Sequence, residues 1–282
     1  MSKKKLDRSA VITGAGSGLG RALALELGKR GYRLLVSDLD VATASETAEL
    51  ARKAGAPVAE SLVCDVRELA QLARLQETAA RLFTHTDLLV NNAGVAVGGP
   101  FLKQTLDDWR WIVDINLFGV LHGVHAFLPA MQERGQGHIL NIASAAGLLS
   151  PPQMVGYNAT KAAVVALSET LGAELAGTKV GVTVACPTFF KTAILANARI
   201  KDEEARDFAE KMFGFSRATA EDVARACVRA VHRRDLYVVP NFDGKLLWNA
   251  KRMMPTSFLT RLLPLARRLI LNSGENKKGS AG

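Results

Sequence analysis

Residues 9–20 read SAVITGAGSGLG, a short apolar run followed at once by a glycine-rich turn. The continuous apolar run over Ser9–Thr13 predicts a strand that is buried on both faces of a sheet. The helical pattern over Leu19–Arg30 predicts a helix directly after the turn. Glycines at such a turn let the main chain approach a pyrophosphate, which the N–H groups of the helix N-terminus can bind. The stretch therefore predicts the first strand, turn and helix of a dinucleotide-binding α/β domain.

Further strand-like runs alternate with helical patterns along the chain. The runs lie at Arg33–Ser37, Val58–Cys64, Leu88–Asn91, His138–Ser144, Val180–Cys186 and Leu236–Pro240. The helical patterns lie at 42–53, 68–83, 106–115, 118–133, 157–176 and 221–232. This alternation is typical of a parallel sheet with crossover helices. We therefore expect one Rossmann-type, doubly wound α/β domain with a seven-stranded parallel sheet and a C-terminal helical extension.

Charge and composition separate the domain from its two ends. The 282 residues carry 36 Lys and Arg against 27 Asp and Glu, a net charge of +9. Residues 1–8 contribute +3 and residues 245–282 contribute +7, which leaves about −1 for residues 9–244. A neutral body argues against a nucleic-acid binder. We expect a cofactor-binding catalytic domain over 1–244, a basic amphipathic helical extension over 245–271 and a disordered polar tail over 272–282.

Cysteine usage and the absence of targeting signals predict a cytoplasmic protein. Cys64, Cys186 and Cys227 lack the spacing of a disulfide framework or a metal site, so we expect buried thiols in a reducing compartment. The basic start has no apolar segment typical of a signal peptide. His122 and His125 are three apart but have no third ligand at useful spacing, so we predict no metal site.

Asp38, at the end of the second strand, predicts the choice of dinucleotide. A carboxylate at this place accepts hydrogen bonds from the adenosine ribose hydroxyls and repels a 2′-phosphate. Ser17, Leu39 and Asp40 supply no cation that would bind such a phosphate. We therefore predict NAD as the cofactor in preference to NADP. A purely structural alternative is that Asp38 caps the next helix.

Several short motifs occur in order at the predicted strand ends. They are TGAGSGLG at 13–20, Cys64-Asp65-Val66, NNAG at 91–94, Asn116, and Ser144 followed after 13 residues by Tyr157-Asn158-Ala159-Thr160-Lys161. With these motifs the sequence resembles the short-chain dehydrogenase/reductase family over about residues 7–240. The resemblance implies cofactor contacts at Gly14, Ser17, Gly18, Leu19, Gly20, Asp38, Asp65, Val66, Asn92, Ala93, Gly94, Tyr157, Lys161, Pro187 and Thr192.

The catalytic chemistry can be argued from residue types. Tyr157 and Lys161 are four apart on a predicted helix and therefore share one side. A neighbouring ammonium favours the phenolate, so Tyr157 can take a proton from an alcohol or return one to a ketone. Ser144 would hydrogen-bond the substrate oxygen. The resemblance further implies that Lys161 holds the nicotinamide ribose and that Asn116 anchors a water beside Lys161.

The family resemblance places a variable substrate loop at about 188–215. This segment contains five of the eleven phenylalanines, which favours an apolar substrate, although these side chains could equally pack the loop on the core. The family usually has Pro-Gly after the sixth strand, whereas here Thr188 follows Pro187, which narrows the allowed backbone conformations. The helices that carry Asn116 and Tyr157 are those by which the family commonly forms dimers and tetramers, so we expect a homodimer or homotetramer.

The basic extension over 245–271 permits three placements. It could pack on the protein or a neighbouring subunit, cover the active site, or lie on an anionic membrane surface; we favour packing. The sequence as a whole predicts an NAD(H)-dependent oxidoreductase that interconverts a secondary alcohol and a ketone on an apolar small-molecule substrate. The alternatives are a carbonyl reductase that prefers NADPH and a non-catalytic Rossmann protein that senses NAD(H).

Overall fold

The glycine-rich turn follows the central strand of a parallel sheet. The computed structural model describes residues 8–190, 193–216 and 218–265. In chain order its strands are β1 Ser9–Thr13, β2 Arg33–Asp38, β3 Ala59–Val63, β4 Leu88–Asn91, β5 Val97–Gly98, β6 Gly137–Ile142, β7 Val180–Ala185, β8 Arg199–Ile200 and β9 Tyr237–Val238. Seven of them form one sheet in the order β3-β2-β1-β4-β6-β7-β9, with every pairing parallel. The predicted doubly wound α/β fold is confirmed.

The connecting segments are mostly helical. The helices are α1 Gly18–Lys29, α2 Val41–Ala54, α3 Leu69–Phe83, α4 Leu106–Val113, α5 Gly119–Arg134, α6 Ala145–Leu149, α7 Val155–Glu174, α8 Glu203–Phe215, α9 Ala220–Arg233, α10 Phe242–Met253 and α11 Pro255–Ser257. Two π-helical segments, Asp114–Phe118 and Phe258–Leu262, continue α4 and α11. Capping boxes at Thr105 and Thr219 begin α4 and α9, since each threonine side chain binds an N–H of the first turn.

The sheet is buried on both faces because successive side chains of a strand point in opposite directions. In β1, Ala10 and Ile12 join the core beneath α1, α2 and α9, whereas Val11 joins the core beneath α3 and α5. All three side chains are fully buried. This explains why the strand appears in the sequence as a continuous apolar run.

The order of the strands determines where a ligand can bind. The chain moves outward from β1 to β2 and β3, and then returns to place β4 on the other side of β1. The connections after β1 and β4 therefore diverge, which opens a crevice at the carboxyl ends of these two strands. The glycine-rich turn and the NNAG motif both lie there.

A buried chain of polar side chains ties the helix α7 to the centre of the sheet. Asn91 of β4 donates to Asn141 of β6 (Nδ2 to Oδ1, 2.9 Å), and Asn141 donates to Ser168 of α7 (Nδ2 to Oγ, 3.0 Å). Buried polar groups are costly unless paired, so these bonds favour one position of α7 on the sheet. That helix carries Tyr157 and Lys161.

The structure corrects two boundaries of the sequence prediction. The two helices expected at 106–115 and 118–133 form one continuous helical run, Leu106–Arg134, through the π-helical turn. By length and composition this run is long and apolar enough to cross a membrane. In this fold it packs against α3, α7 and the sheet.

The segment 188–215, expected to be a flexible loop, contains β8 and α8, and β8 pairs with β5 in a small second sheet.

The C-terminal extension packs on the catalytic domain. Phe258 is fully buried in a cluster with Leu148, Val164 and Val239, and Trp248 contacts the ring of Tyr237 at a centroid distance of 5.2 Å. The favoured placement of the extension on the protein therefore agrees with the structure over 245–265. Residues 266–282, which include the predicted disordered tail, lie outside the described residues.

Candidate active site

The glycine-rich turn and the NNAG motif are bound directly to each other. Asn92 donates through Nδ2 to the carbonyl oxygens of Thr13 (3.0 Å) and Gly14 (2.8 Å), and the Asn92 amide donates to Thr13 Oγ1 (3.1 Å). Gly14 has a φ of +62°, and a Cβ at this position would lie 2.6 Å from Ala93 Cα. Only glycine therefore allows the two motifs to approach so closely.

The N-terminus of α1 presents amides to the crevice. Within the described chain, the Ser17 side chain makes no capping hydrogen bond, which leaves the first-turn N–H groups of Gly18 and Leu19 available to a ligand. A Cβ at Gly20 would lie 2.2 Å from Gly14 O, so the helix begins directly against the turn. Such a cradle of main-chain amides has the size and polarity that a pyrophosphate requires.

Asp38 stands at the end of β2 beside this cradle. Its Oδ2 accepts a hydrogen bond from the Gly16 amide (2.8 Å), and its Oδ1 accepts a longer one from Asp40 (3.3 Å). The helix α2 is capped by Asp40 instead, whose side chain accepts from Ala42 and Thr43. The structural alternative for Asp38, a cap of this helix, is therefore wrong.

The predicted cofactor contact Asp65 has a partner that the sequence analysis missed. Arg67 donates to both carboxylate oxygens of Asp65, and this pairing lowers the pKa of Asp65. Val66 is buried against Gly119 at the start of α5, and its carbonyl accepts from His122 Nδ1 (2.8 Å). His122 therefore has a structural partner. Among the described residues, no group of three or more His, Cys, Asp or Glu could hold a metal ion.

The buried side chains of Tyr157 and Lys161 and the half-buried Ser144 come together at the carboxyl end of β6. Lys161 Nζ donates to the carbonyl of Ile142 (2.9 Å) and lies 5.8 Å from the centre of the Tyr157 ring. Burial lowers the pKa of Lys161 to about 8. Burial raises the pKa of Tyr157, and its interaction with the Ser144 hydroxyl acts in the opposite direction. Ser144 also caps α6 by accepting from the Ala146 amide (3.1 Å).

Asn116 lies at the centre of the π-helical turn and faces the same site. Its side chain pairs with the main chain of Val95, accepting from the amide (2.8 Å) and donating to the carbonyl (2.9 Å). A Cβ at Gly94 would lie 3.2 Å from Asn116 Oδ1 and 3.4 Å from Lys161 Nζ. The last residue of NNAG therefore separates the two side chains and leaves room between them.

The loop after β7 closes the other side of Ser144. The Pro187 carbonyl accepts from the Ala145 amide (2.8 Å) and from the Ser144 hydroxyl (3.4 Å), which places Pro187 beside Ser144. Thr188, which replaces the family's usual glycine, donates through its amide to Asn241 Oδ1 (3.2 Å). The departure from the family pattern is thus associated with a contact to the N-cap residue of α10. Thr192, which the family resemblance predicts as a cofactor contact, lies outside the described residues.

Apolar side chains from the segment after this loop pack over Tyr157, and we call residues 194–215 the cover. Ile194 and Ala198 pack in one cluster with Tyr157, Val97 and Met154. Ionic contacts attach the cover to the start of α4. They are Lys103 Nζ to Asp202 Oδ2 (2.7 Å), Lys201 Nζ to Asp108 Oδ2 (2.9 Å) and Arg199 Nη1 to Asp108 Oδ1 (3.4 Å).

Sequence reasoning missed most of the groups that support this site. Gln104 is buried, donates to Gly99 O (2.7 Å) and accepts from the Gly156 amide next to Tyr157. The main chains of Ile142 and Val95 hold the two predicted catalytic side chains. Since every residue has a carbonyl and nearly every residue an amide, no sequence signal distinguishes these positions. The capping-box pattern of Thr105 and Asp108 could have been found in the sequence.

Comparison with known proteins assigns the family. A family model described as short chain dehydrogenase matches residues 8–203. The SadH protein of Mycobacterium tuberculosis, an oxidoreductase by name, is 37% identical over 256 residues, which cover 88% of this chain and 91% of SadH. A short-chain dehydrogenase/reductase from Burkholderia phymatum, solved in complex with NAD, is 36% identical with a TM-score of 0.83, covering 88% of this chain and 93% of the other.

A third similar protein carries the other dinucleotide. The alcohol dehydrogenase of Thermococcus sibiricus, solved with 5-hydroxy-NADP, is 25% identical with a TM-score of 0.70, covering 82% of this chain and 95% of the other. Members of the family are oxidoreductases that bind a nicotinamide cofactor and a small-molecule substrate. The crevice with its amide cradle lies beside Ser144, Tyr157 and Lys161 in this chain. The chain belongs to the short-chain dehydrogenase/reductase family.

Proposed function

We propose that this protein is an NAD(H)-dependent oxidoreductase that interconverts a secondary alcohol and a ketone on an apolar substrate. The observation that carries the proposal is the grouping of the buried Tyr157 and Lys161 with the half-buried Ser144 beside the crevice. A buried tyrosine next to a buried ammonium is costly to maintain for structure alone. In an oxidoreductase the same pair serves to move a proton.

In this mechanism Tyr157 exchanges the proton of the substrate oxygen. During oxidation the phenolate oxygen takes the hydroxyl proton as a hydride leaves the adjacent carbon, and the alcohol becomes a ketone. The bound nicotinamide supplies the acceptor for that hydride, and the donor in the reverse reaction. During reduction the Tyr157 hydroxyl returns a proton to the oxygen of the ketone.

Lys161 and Ser144 stabilise the charges that develop. The cationic Lys161 favours the phenolate form of Tyr157, because the two groups are close in a low-dielectric environment. Ser144, held in place as the cap of α6, can donate a hydrogen bond to the substrate oxygen. Asn116, held by Val95, faces Lys161 across Gly94 and suits the water that the family resemblance implies.

Asp38 supports NAD as the preferred cofactor. Its carboxylate stands beside the cradle, where the ribose of the adenosine would lie and where a 2′-phosphate would meet a negative charge. Arg21 is the nearest cation in sequence after the turn, but it is bound to Gly16 O (2.6 Å) and Glu46 (2.6 Å). Its charge is therefore already compensated.

The surroundings of Tyr157 support an apolar substrate. The side chains that pack with it include Ala96, Val97, Ala146, Met154 and Ile194, all of them apolar. Pockets lined in this way, with a few polar groups that orient the reacting atom, select apolar ligands.

The proposal extends to assembly and location. We place the enzyme in the cytoplasm as a homodimer or homotetramer, with peripheral membrane contact through the extension. Phe118 and Val155 lie next to the helical positions that carry Asn116 and Tyr157, and both side chains are exposed in the single chain. Exposed apolar side chains on these helices support a subunit contact there.

The test is a panel of steroid, retinoid, acyl and small secondary alcohols, with NAD or NADP as oxidant. We expect turnover with NAD, followed by the absorbance of NADH, and a higher kcat/KM for the apolar members. Equal or better use of NADP would contradict the cofactor assignment and favour the carbonyl reductase. Binding of NAD(H) without turnover of any alcohol or of the matching ketones would favour the sensor.

A further inference from the structure

The helix α10 has two sides with opposite roles. One side is buried: Gly244 packs on Thr188, and Lys251 donates through Nζ to Leu148 O (2.6 Å). These two residues are seven apart and therefore lie on the same side of a helix. This side attaches the extension to the catalytic domain.

The opposite side of α10 is apolar and faces solvent. Phe242, Leu246 and Met253 are 81%, 60% and 81% exposed. At 100° per residue these three positions lie within about 40° of one another, on the side away from Gly244 and Lys251. An amphipathic helix normally buries its apolar side against the protein. Here an apolar stripe remains on the surface even though the helix is already packed.

The following segment also exposes apolar side chains, and cations lie on both segments. Leu259, Leu262 and Leu265, three residues apart, are also exposed, and so is Arg261 among them. On α10, Lys245 and Arg252 are seven apart and lie along one edge of the stripe. Residues 242–265 contain four basic residues and one acidic residue, Asp243, which accepts a hydrogen bond from the Thr188 hydroxyl (3.4 Å). We call the exposed side of α10 the docking face; it consists of Phe242, Lys245, Leu246, Arg252 and Met253.

We infer that the docking face binds the interfacial region of an anionic lipid bilayer. Apolar side chains bordered by Lys and Arg match such a surface, because the former enter the acyl boundary and the latter meet the negative head groups. A second copy of this chain matches it less well. In a two-fold contact the same surface meets itself, so Lys245 and Arg252 of both copies would approach each other. The inference names the partner of the proposed peripheral contact and is independent of the reaction catalysed.

The helix that carries the docking face is attached to the loop after β7. Asn241, the residue before Phe242, accepts the hydrogen bond from the Thr188 amide. Thr188 lies against the packed side of α10, so the docking face points away from this loop and stays open to a partner.

The experiment measures binding of the full chain to vesicles by co-sedimentation. One set contains phosphatidylcholine alone, and the other contains phosphatidylcholine mixed with phosphatidylglycerol. We expect binding to the anionic vesicles, weak or no binding to the neutral ones, and a decrease as salt is raised. No turnover is required, so a failed enzyme assay leaves this measurement valid.

Two multiple-substitution variants measure the apolar and the ionic contributions to vesicle binding separately. Phe242→Gln/Leu246→Gln/Met253→Gln should weaken binding by at least about tenfold, since each buried apolar side chain contributes strongly. Lys245→Gln/Arg252→Gln should weaken it by roughly 25-fold, or about fivefold per cation near an anionic surface. Matched controls are Leu102→Gln/Leu106→Gln and Lys53→Gln/Arg74→Gln, which remove exposed apolar or basic groups elsewhere. Both controls should bind as the unaltered chain does.

Three results would overturn the inference. They are the absence of binding to anionic vesicles, equal binding by the docking-face variants and the controls, or loss of an oligomer in the docking-face variants without any vesicle binding. The last result would assign the surface to a second copy of the chain. Circular dichroism of each variant establishes that it is folded before its binding is compared.

Discussion

The cofactor crevice and the cover over Tyr157 are held by different kinds of interaction. In the crevice, short side chains bind main-chain groups of neighbouring motifs, as Asn92 does with Thr13 and Gly14 and Asp38 does with Gly16. Such contacts leave few rotatable bonds to order. They suit a region that binds a cofactor with constant geometry.

The cover is held mainly by long ionic side chains that join distant parts of the chain. Lys103 binds Asp202, and Lys201 binds Asp108 more than ninety residues away in sequence. The lysine ends of these pairs are exposed, whereas the carboxylates of Asp108 and Asp202 are largely buried. Because an exposed ammonium can exchange its protein contact for water, we expect the crevice to act as a rigid platform and the cover to be the part that opens for substrate.

Removing the proton-transferring group should have the largest effect. We expect Tyr157→Phe to lower kcat/KM by about 10²–10⁴, because general acid–base catalysis contributes about that much. Binding of NAD, measured by calorimetry, should stay unchanged, because the crevice does not depend on this hydroxyl. Tyr237→Phe, which removes a hydroxyl on β9 that binds Glu169, is the control. Substantial turnover by Tyr157→Phe would remove Tyr157 from the mechanism.

Changing the crevice should alter cofactor choice without altering the cover. In Asp38→Ser we expect the ratio of kcat/KM for NAD over NADP to fall by at least about tenfold, since hydrogen bonds to a charged group contribute about 1.5–3 kcal/mol. Asp40→Ser is the matched control, because it removes the neighbouring carboxylate and keeps a side chain able to cap α2. An unchanged ratio in Asp38→Ser would show that selectivity lies elsewhere.

Loosening the cover should raise KM more than it lowers kcat. Burial alone would raise the pKa of Asp108, but hydrogen bonds from Lys201 and Thr105 outweigh it and bring the pKa to about 2. Asp108→Asn removes the negative charge that holds Arg199 and Lys201, and we expect KM for an apolar alcohol to rise on the order of tenfold. The neighbouring Asp107→Asn, at a side chain 84% exposed, should change KM by less than about twofold.

The same carboxylate determines how the cover responds to acid. Because its pKa is lowered by folding, the contribution of Asp108 is complete above its ordinary pKa of 3.8 and is lost as pH falls towards 2. KM should therefore show no transition from this group between pH 5 and 8. A rise of KM across neutral pH that disappears in Asp108→Asn would contradict this assignment.

The smallest effect is expected where the extension meets the end of α6. Lys251 donates to the carbonyl of Leu148, which belongs to α6, the helix that Ser144 caps. We expect Lys251→Met to lower the free energy of unfolding by about 0.5–1.5 kcal/mol, the net contribution of one hydrogen bond. Urea unfolding measures the change, and Lys245→Met on the exposed side of α10 should differ little from the unaltered chain. A larger loss of stability in Lys245→Met than in Lys251→Met would contradict the assignment of Lys251 to the packed side of α10.

Most of the crevice could be predicted from the sequence, whereas the cover could not. The turn at 13–20, Asp38 and the NNAG motif are short segments whose chemistry depends on neighbours in sequence and on strand ends. By contrast, α8 and β8 were expected to be a loop, because their stability depends on Asp108, Lys103 and β5, nearly a hundred residues earlier. No local pattern contains that information.

The sequence alone determined the fold and the candidate reacting groups. Buried strands have a recognisable apolar period, glycine is required where main chains approach closely, and Tyr157 and Lys161 share a helix side at a spacing of four. The tertiary structure decided how these groups are held and what surrounds them. It paired Lys161 with Ile142, Asn116 with Val95 and Thr188 with Asn241, and it left one side of α10 apolar and exposed. Such contacts join distant segments and use main-chain groups that every residue has, so only the folded chain specifies them.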